Sequence, residues 1–325
     1  MPHTTAHPDA PVARLTHLPL PLFAAPMGFG GLGLAWREAA RVIGAPAAIG
    51  EALLFAAMAI WVLVAVLHLT RMIRHPQALA GDLKHPVRSA FAGAISIGLM
   101  LISGGLIPYS QDLAAGVWIV AVVLHVSIGV LLLRTMLRAP REAAALTPPL
   151  LIPLVGNIVA PIFGAKLGFV TASWALFGIG IVLWASVQPL LFGRIFNGPP
   201  LPERLRPTLV IFLAPPSVAS VALSQLTGVY GPVALSFLGY ATFLMLIYIA
   251  MLRDLASVPF AMSWWGTTFP TATYLVAALS AAHAYPGAWA EPVLWIALLA
   301  GSLILAIVSA RTLKAAFDGE LLRPE

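Results

Sequence analysis

Apolar residues run in long uninterrupted blocks along this chain, separated by short polar stretches that carry most of the charges. Blocks long enough to cross about 30 Å of hydrocarbon fall at 18–36, 51–73, 87–107, 113–137, 148–168, 171–193, 207–227, 232–252, 259–282 and 291–312. They predict ten transmembrane helices, with a tight turn between the fifth and the sixth. What is left over forms tails at 1–17 and 313–325, and no loop is long enough for a folded soluble domain. The expectation is an all-α membrane protein whose transmembrane part, 18–312, is the functional unit.

The loop charges give this count a direction. With the N-terminus in the cytoplasm, the inner segments hold Arg14, Arg71, Arg74, Lys84, Arg88, Arg134, Arg138, Arg141, Arg194, Arg204, Arg206, Arg253, Arg311, Lys314 and Arg323. The outer segments hold only Arg37, Arg41 and Lys166, which completes the 18 basic residues. The positive-inside rule then puts both termini in the cytoplasm of a bacterial-type inner (plasma) membrane. The N-terminal tail lacks the basic n-region and short apolar core of a cleaved signal, and reads as a mature tail.

Helix breakers follow a second pattern. Run one has Pro26, run five Pro153 and Pro161, run seven Pro215 and Pro216, and run nine Pro270. Run three has no central proline but contains Gly93, Gly98, Gly104 and Gly105. Runs two and ten ("ALLFAAMAIWVLVAVL", "VLWIALLAGSLILAIVSA") are unbroken, runs four and eight have no interior proline, and run six has only Pro189 near its end. A proline deletes a helical hydrogen bond, and a carbonyl left bare in lipid costs several kcal/mol unless protein or water satisfies it. The alternation therefore predicts five helical hairpins, odd helices inside around a central path and even helices outside. Tolerance of proline and glycine for helix packing is the competing account of any single position.

Composition narrows the chemistry. The chain is 60% hydrophobic and 9% charged, where soluble domains carry about 25% charged residues. With a net charge of +6 and no cysteine, disulfides and thiolate sites are excluded, and the basic residues are explained by membrane orientation rather than a nucleic-acid partner. All twelve acidic residues fall at run ends, in loops or in tails. A coupled transporter usually keeps an ionisable group near the bilayer midplane. Only His68, His125 and His283 come near, and His125 reads as a packing histidine. Passive conduction is thereby favoured, and no cofactor, metal or catalytic arrangement is expected.

Five stretches, in order, carry a resemblance: "LFAAPMGFGGLGLAW", "KHPVRSAF", "PLLIPLVGNIVAP", "RPTLVIFLAPPSVAS" and "WWGTTFPTATY". Together they resemble the tellurite-resistance/dicarboxylate transporter family, the TehA-type proteins that also include plant guard-cell slow anion channels. The resemblance implies a pseudo-five-fold arrangement of hairpins, odd-numbered helices lining a central pore in each subunit of a homotrimer, and an anion path occluded by a phenylalanine on the ninth helix. A secondary transporter or exporter of C4-dicarboxylates, sulfite or other oxyanions is the alternative. The partners expected are small inorganic or organic anions and membrane lipid.

The occluding phenylalanine maps onto Phe269. From the residues alone, Pro270 and Gly266 predict a bend with Phe269 on it, and the ring is either a packing group or a plug that dewets a bore. Phe23, Pro26, Gly28, Gly98, Pro153, Asn157, Pro215, Gly266, Pro270 and Thr273 are the positions expected to line or bend the path. Gly28 is expected to leave room opposite the phenylalanine, and Thr267, Thr268 and Thr271 to offer further hydroxyls. Arg88 is either an attractor of anions at the cytoplasmic mouth or an interfacial anchor.

Overall fold

The computed structural model describes residues 15–139, 142–288 and 290–322. Arg14, Arg141, Arg323 and most of the N-terminal tail lie outside these. Among the described residues the chain is helical, without strands, and seven stretches are long and apolar enough to cross a membrane. Three more of the ten expected runs are helical but fall short of that standard. The α-helix Ala24–Ile43 ends in Arg37, Glu38 and Arg41. Pro148–Gly164 is shorter, and the α-helical part of run nine, Thr268–Ala284, has 17 residues.

Two populations alternate along the chain. Ala47–Arg74, Gln111–Arg138, Val170–Asn197, Pro232–Ala250 and Ala290–Phe317 are long α-helices with only 22–28% of their most apolar windows buried. Between them, Arg88–Leu106 and Glu203–Thr227 are 83% and 67% buried, and 20–43, Pro148–Gly164 and 262–284 are buried over most of their length as well. Apolar side chains all around an exposed helix fit a lipid solvent, where a bare carbonyl or hydroxyl has no water to meet. Ser127, Ser186 and Ser236 accordingly donate their hydroxyls to the carbonyls of Val123, Val182 and Pro232, at 2.7, 2.8 and 2.9 Å, one turn earlier. This is a multi-pass helical membrane protein.

The five buried segments touch in a closed order: 20–43 on Arg88–Leu106, that on Pro148–Gly164, that on Glu203–Thr227, that on 262–284, and that back on 20–43. Each long helix packs on the buried segment preceding it. His125, wholly buried on Gln111–Arg138, reaches Ser96 Oγ at 2.8 Å. Ser96 itself donates to the Gly93 carbonyl at 3.0 Å, so the imidazole Nδ1–H is the donor between them. That is a packing role, as the sequence suggested.

Each buried segment begins as a 3₁₀-helix and continues as an α-helix without interruption: Leu20–Phe23 into Ala24–Ile43, Arg88–Ala92 into Gly93–Leu106, Glu203–Leu213 into Ala214–Thr227 and Met262–Thr267 into Thr268–Ala284. Pro148–Gly164 changes over twice, at Leu151 and at Ala160. Pro26, Pro153, Pro161, Pro215, Pro216 and Pro270 all sit in the first α-turn after a changeover. An α-helix leaves its first N–H groups without intrahelical partners, so proline costs least there. Phe269 is itself α-helical, so the expected bend is a change of pitch. The α-helix with a proline in its interior is an exposed one, Val170–Asn197, at Pro189.

Candidate functional site

The axis enclosed by the five segments holds two cavities in series. The first has a volume of about 50 Å³ and takes residues from all five segments, including Met27, Phe91, Val155, Ile211 and Trp265. Its lining is apolar, and the Trp265 Nε1–H is spent on Thr312 Oγ1 at 3.0 Å. The second, about 200 Å³, begins further along each segment, at Gly31, Leu101, Val159, Val218 and Phe269, and runs to Arg37, Glu38, Lys166, Gln225 and Ser280. Val159, Val218 and Phe269 line both cavities. They mark the partition, and Phe269, 6% exposed, is the only aromatic among the three.

The partition is fitted to the ring by a glycine. A β-carbon at Gly31 would lie 3.2 Å from Phe269 Cδ2 and 3.1 Å from the β-carbon of Ala272, so the ring rests against bare backbone. Gly28, expected to fill this role, faces Thr268 instead: a β-carbon there would lie 2.4 Å from the Thr268 hydroxyl. The glycine beside the ring is one turn further along the helix.

The other expected positions divide. Pro215, Gly266 and Pro270 line the apolar cavity, and Thr273 lines the polar one. Phe23 packs outward, its ring centroid 5.0 Å from that of His68 and 6.4 Å from that of Trp61. Gly98 also faces Trp61, and Pro26 lies beside Gly98. Pro153 packs against Gly93. Asn157 is buried, its Nδ2 donating to the Leu154 carbonyl at 3.2 Å. None of these five lines either cavity. The hydroxyls of Thr267, Thr268, Thr271 and Thr273 donate to carbonyls three or four residues earlier, at 2.8–3.0 Å.

Arg88 is tied down. Its Nη1 lies 2.9 Å from Asp82 Oδ1, while Asp82 Oδ2 takes Arg71 Nη1 at 2.6 Å. Asp82 and Arg71 are both 3% exposed at the side chain, Arg88 43%. Arg71 also donates to the Thr16 carbonyl through Nε and Nη2, at 3.1 and 2.8 Å. One carboxylate between two guanidinium groups leaves this corner a net single positive charge, and pins the start of the first segment to the start of the second.

At the far end, the polar cavity contains groups that sequence reading recorded only as loop charges. Arg37 forms a two-point pair with Glu51, at 2.8 and 2.7 Å, and its remaining N–H groups reach the carbonyls of Gly104 and Gly105 at 3.3–3.5 Å. Glu38 takes Arg41 at 2.5 and 3.2 Å and the Ser280 hydroxyl at 3.1 Å. A signal for them existed: Arg41 follows Arg37 and Glu38 by about one helical turn on the segment that carries Gly31.

Five buried helical segments closed around two cavities in series, sheathed by lipid-facing helices, describe a membrane permeation protein in form. A family model described as "SLAC1: Voltage-dependent anion channel" matches residues 17–313, and the chain belongs to that family. Among its relatives are the S-type anion channel SLAH3 of Arabidopsis thaliana, 25% identical over 79% of this chain and 42% of the plant protein, and the guard cell S-type anion channel SLAC1 of the same plant, 27% identical over 53% of this chain and 31% of the relative. The tellurite resistance protein TehA homolog of Haemophilus influenzae is 27% identical over 72% of each chain. The chain thus spans under half the length of these plant relatives.

Proposed function

We propose that this protein is an anion channel with one conducting path per subunit, closed by Phe269. The observation that carries the reading is the pair of cavities in series, apolar on one side and charged on the other, with one aromatic ring in the partition. A narrow apolar passage excludes water, and an unsolvated ion does not cross it. Removing the ring joins the two spaces.

In this reading the chain crosses the membrane ten times as five hairpins in a pseudo-five-fold arrangement, the odd-numbered segments forming the wall. The three helical segments that fall short as independent spans cross within the shelter of the long helices. Both termini are cytoplasmic, the membrane is a bacterial-type inner membrane, and the assembly is a homotrimer. The permeants are small inorganic or organic anions. Support comes from the closed order of the buried segments, the distribution of basic residues, and the relatives, several of which are S-type anion channels.

The test is a planar-bilayer recording of the wild type and Phe269→Ala in nitrate, chloride and a C4-dicarboxylate. A constitutive current in the variant, reversing at the Nernst potential of the anion, is expected. A silent variant that purifies folded refutes the gate. Flux that follows a combined proton and anion gradient identifies a coupled carrier of dicarboxylates or oxyanions instead.

A further inference from the structure

We propose that Lys166 is an anion-docking residue of the charged cavity, which concentrates permeant anions on that side of the Phe269 partition. The inference rests on the conduction reading above and assigns it a binding step. Arg37, Glu38 and Lys166 are the charged residues lining this cavity. Arg37 is neutralised by Glu51 and held by two carbonyls, and Glu38 is neutralised by Arg41 and capped by Ser280. Lys166 makes no hydrogen bond or ion pair among the described residues, although Glu38, Arg41 and Arg37 are the charges that act on it. It stands in the turn between Ala160–Gly164 and Val170–Asn197, exposed to the cavity.

The cavity therefore carries one uncompensated positive charge, and that charge is on a flexible stem. A primary ammonium offers three donors and no acceptor, which selects small anions such as nitrate or chloride over cations without demanding the planar fit of a guanidinium. A single charge a few ångströms from an anion in water-like surroundings raises its local concentration roughly two- to four-fold at about 0.1 M salt. The effect falls away at about 1 M salt, where the screening length is about 3 Å.

The experiment uses the full chain with Phe269→Ala, in uncharged phosphatidylcholine bilayers, and compares Lys166, Lys166→Gln, Lys166→Arg and Lys166→Glu. At about 0.1 M chloride, Lys166→Gln is expected to lower the current of anions entering from the Lys166 side roughly two- to four-fold, with less change for entry from the other side. Lys166→Glu lowers it further, Lys166→Arg restores it, and at about 1 M salt the four converge. A loss that is equal in both directions, or that persists at high salt, overturns the docking role, as does an unchanged Lys166→Gln current. If Phe269→Ala carries no anion current at all, the conduction reading fails first, and the two failures are told apart by that control.

Discussion

If Phe269 is the gate proposed above, its contact with Gly31 allows that gate to be closed again by a second substitution. In the native chain, a side chain at position 31 would begin 3.2 Å from the ring edge and 3.1 Å from the β-carbon of Ala272. Both distances are tight without being impossible, so Gly31→Leu is expected to overpack the partition and to cost about 1–3 kcal/mol. Truncating Phe269 removes the ring that stands in the way. A buried Phe→Ala change costs about 3–5 kcal/mol, and the lower end applies here because Phe269 borders a cavity on each side and has fewer atoms to leave behind. In the double variant the leucine grows into the vacated space: the two costs do not add, and the coupling is expected at about 1–3 kcal/mol in favour of the pair. Bilayer currents provide the functional arm and denaturant unfolding in detergent micelles the stability arm. Phe269→Ala should conduct, Gly31→Leu alone should be silent, and the double variant should lose most of the current gained. A double variant that conducts as freely as Phe269→Ala, or whose stability costs simply sum, would show that the ring and Gly31 do not share the constriction.

Two further predictions concern the frame around the site. Asp82→Asn leaves the buried guanidinium of Arg71 without its carboxylate, and should destabilise the protein by about 3–5 kcal/mol in an unfolding titration. Replacing both partners by apolar residues of similar size should recover most of that loss, and a single variant as stable as wild type would contradict the assignment. Gly104→Ala places a β-carbon 2.1 Å from Cε1 of Phe163. That overlap should cost about 1–3 kcal/mol and lower the melting temperature, whereas Gly116→Ala, with nothing within 4 Å of the new carbon and in a helix interior, should not lower it.

Much of the inside–outside arrangement was legible because lipid punishes bare backbone. Proline is tolerated where neighbours cover the consequences, so Pro26, Pro153, Pro161, Pro215 and Pro270 marked the segments that prove to be buried. The face each residue presents was not legible. A helix buried on all sides has apolar residues around its whole circumference, so no amphipathic stripe separates the cavity side from the packing side. Phe23 and Phe269 look alike in sequence, each beside a proline-bearing turn, yet one packs on His68 and Trp61 and the other enters the axis. The pairing of Arg88 was not legible, because Asp82 lies six residues away across a turn that only the fold closes. In sequence Lys166 is simply one of three outer charges, and its isolation depends on Glu51 and Arg41 neutralising its neighbours.

For the proposed gate, the repeated changeover from 3₁₀ to α gives a reason why one ring can suffice. A 3₁₀-helix turns every 3.0 residues and an α-helix every 3.6, so the direction of successive side chains is reset where one becomes the other. The prolines hold that reset in place, because their fixed φ suits the first α-turn and their missing N–H is not needed there. Where the two cavities meet, small and aliphatic residues accompany the ring: Val159 and Val218 line both cavities, and Gly31 lies against Phe269. The first, fifth and seventh runs thus bring Gly31, Val159 and Val218 to the partition and the ninth brings Phe269, while the bulky Phe91 and Trp265 line the apolar cavity alone. Had all five carried large side chains, truncating one would leave the passage filled by the rest. With the partition's one aromatic ring on a single segment, Phe269→Ala removes the main obstruction there, and the valines that share it, Val159 and Val218, become the next narrowest point. Current through Phe269→Ala should therefore rise again on Val159→Ala or Val218→Ala, while either valine change in the native background should stay silent behind the ring.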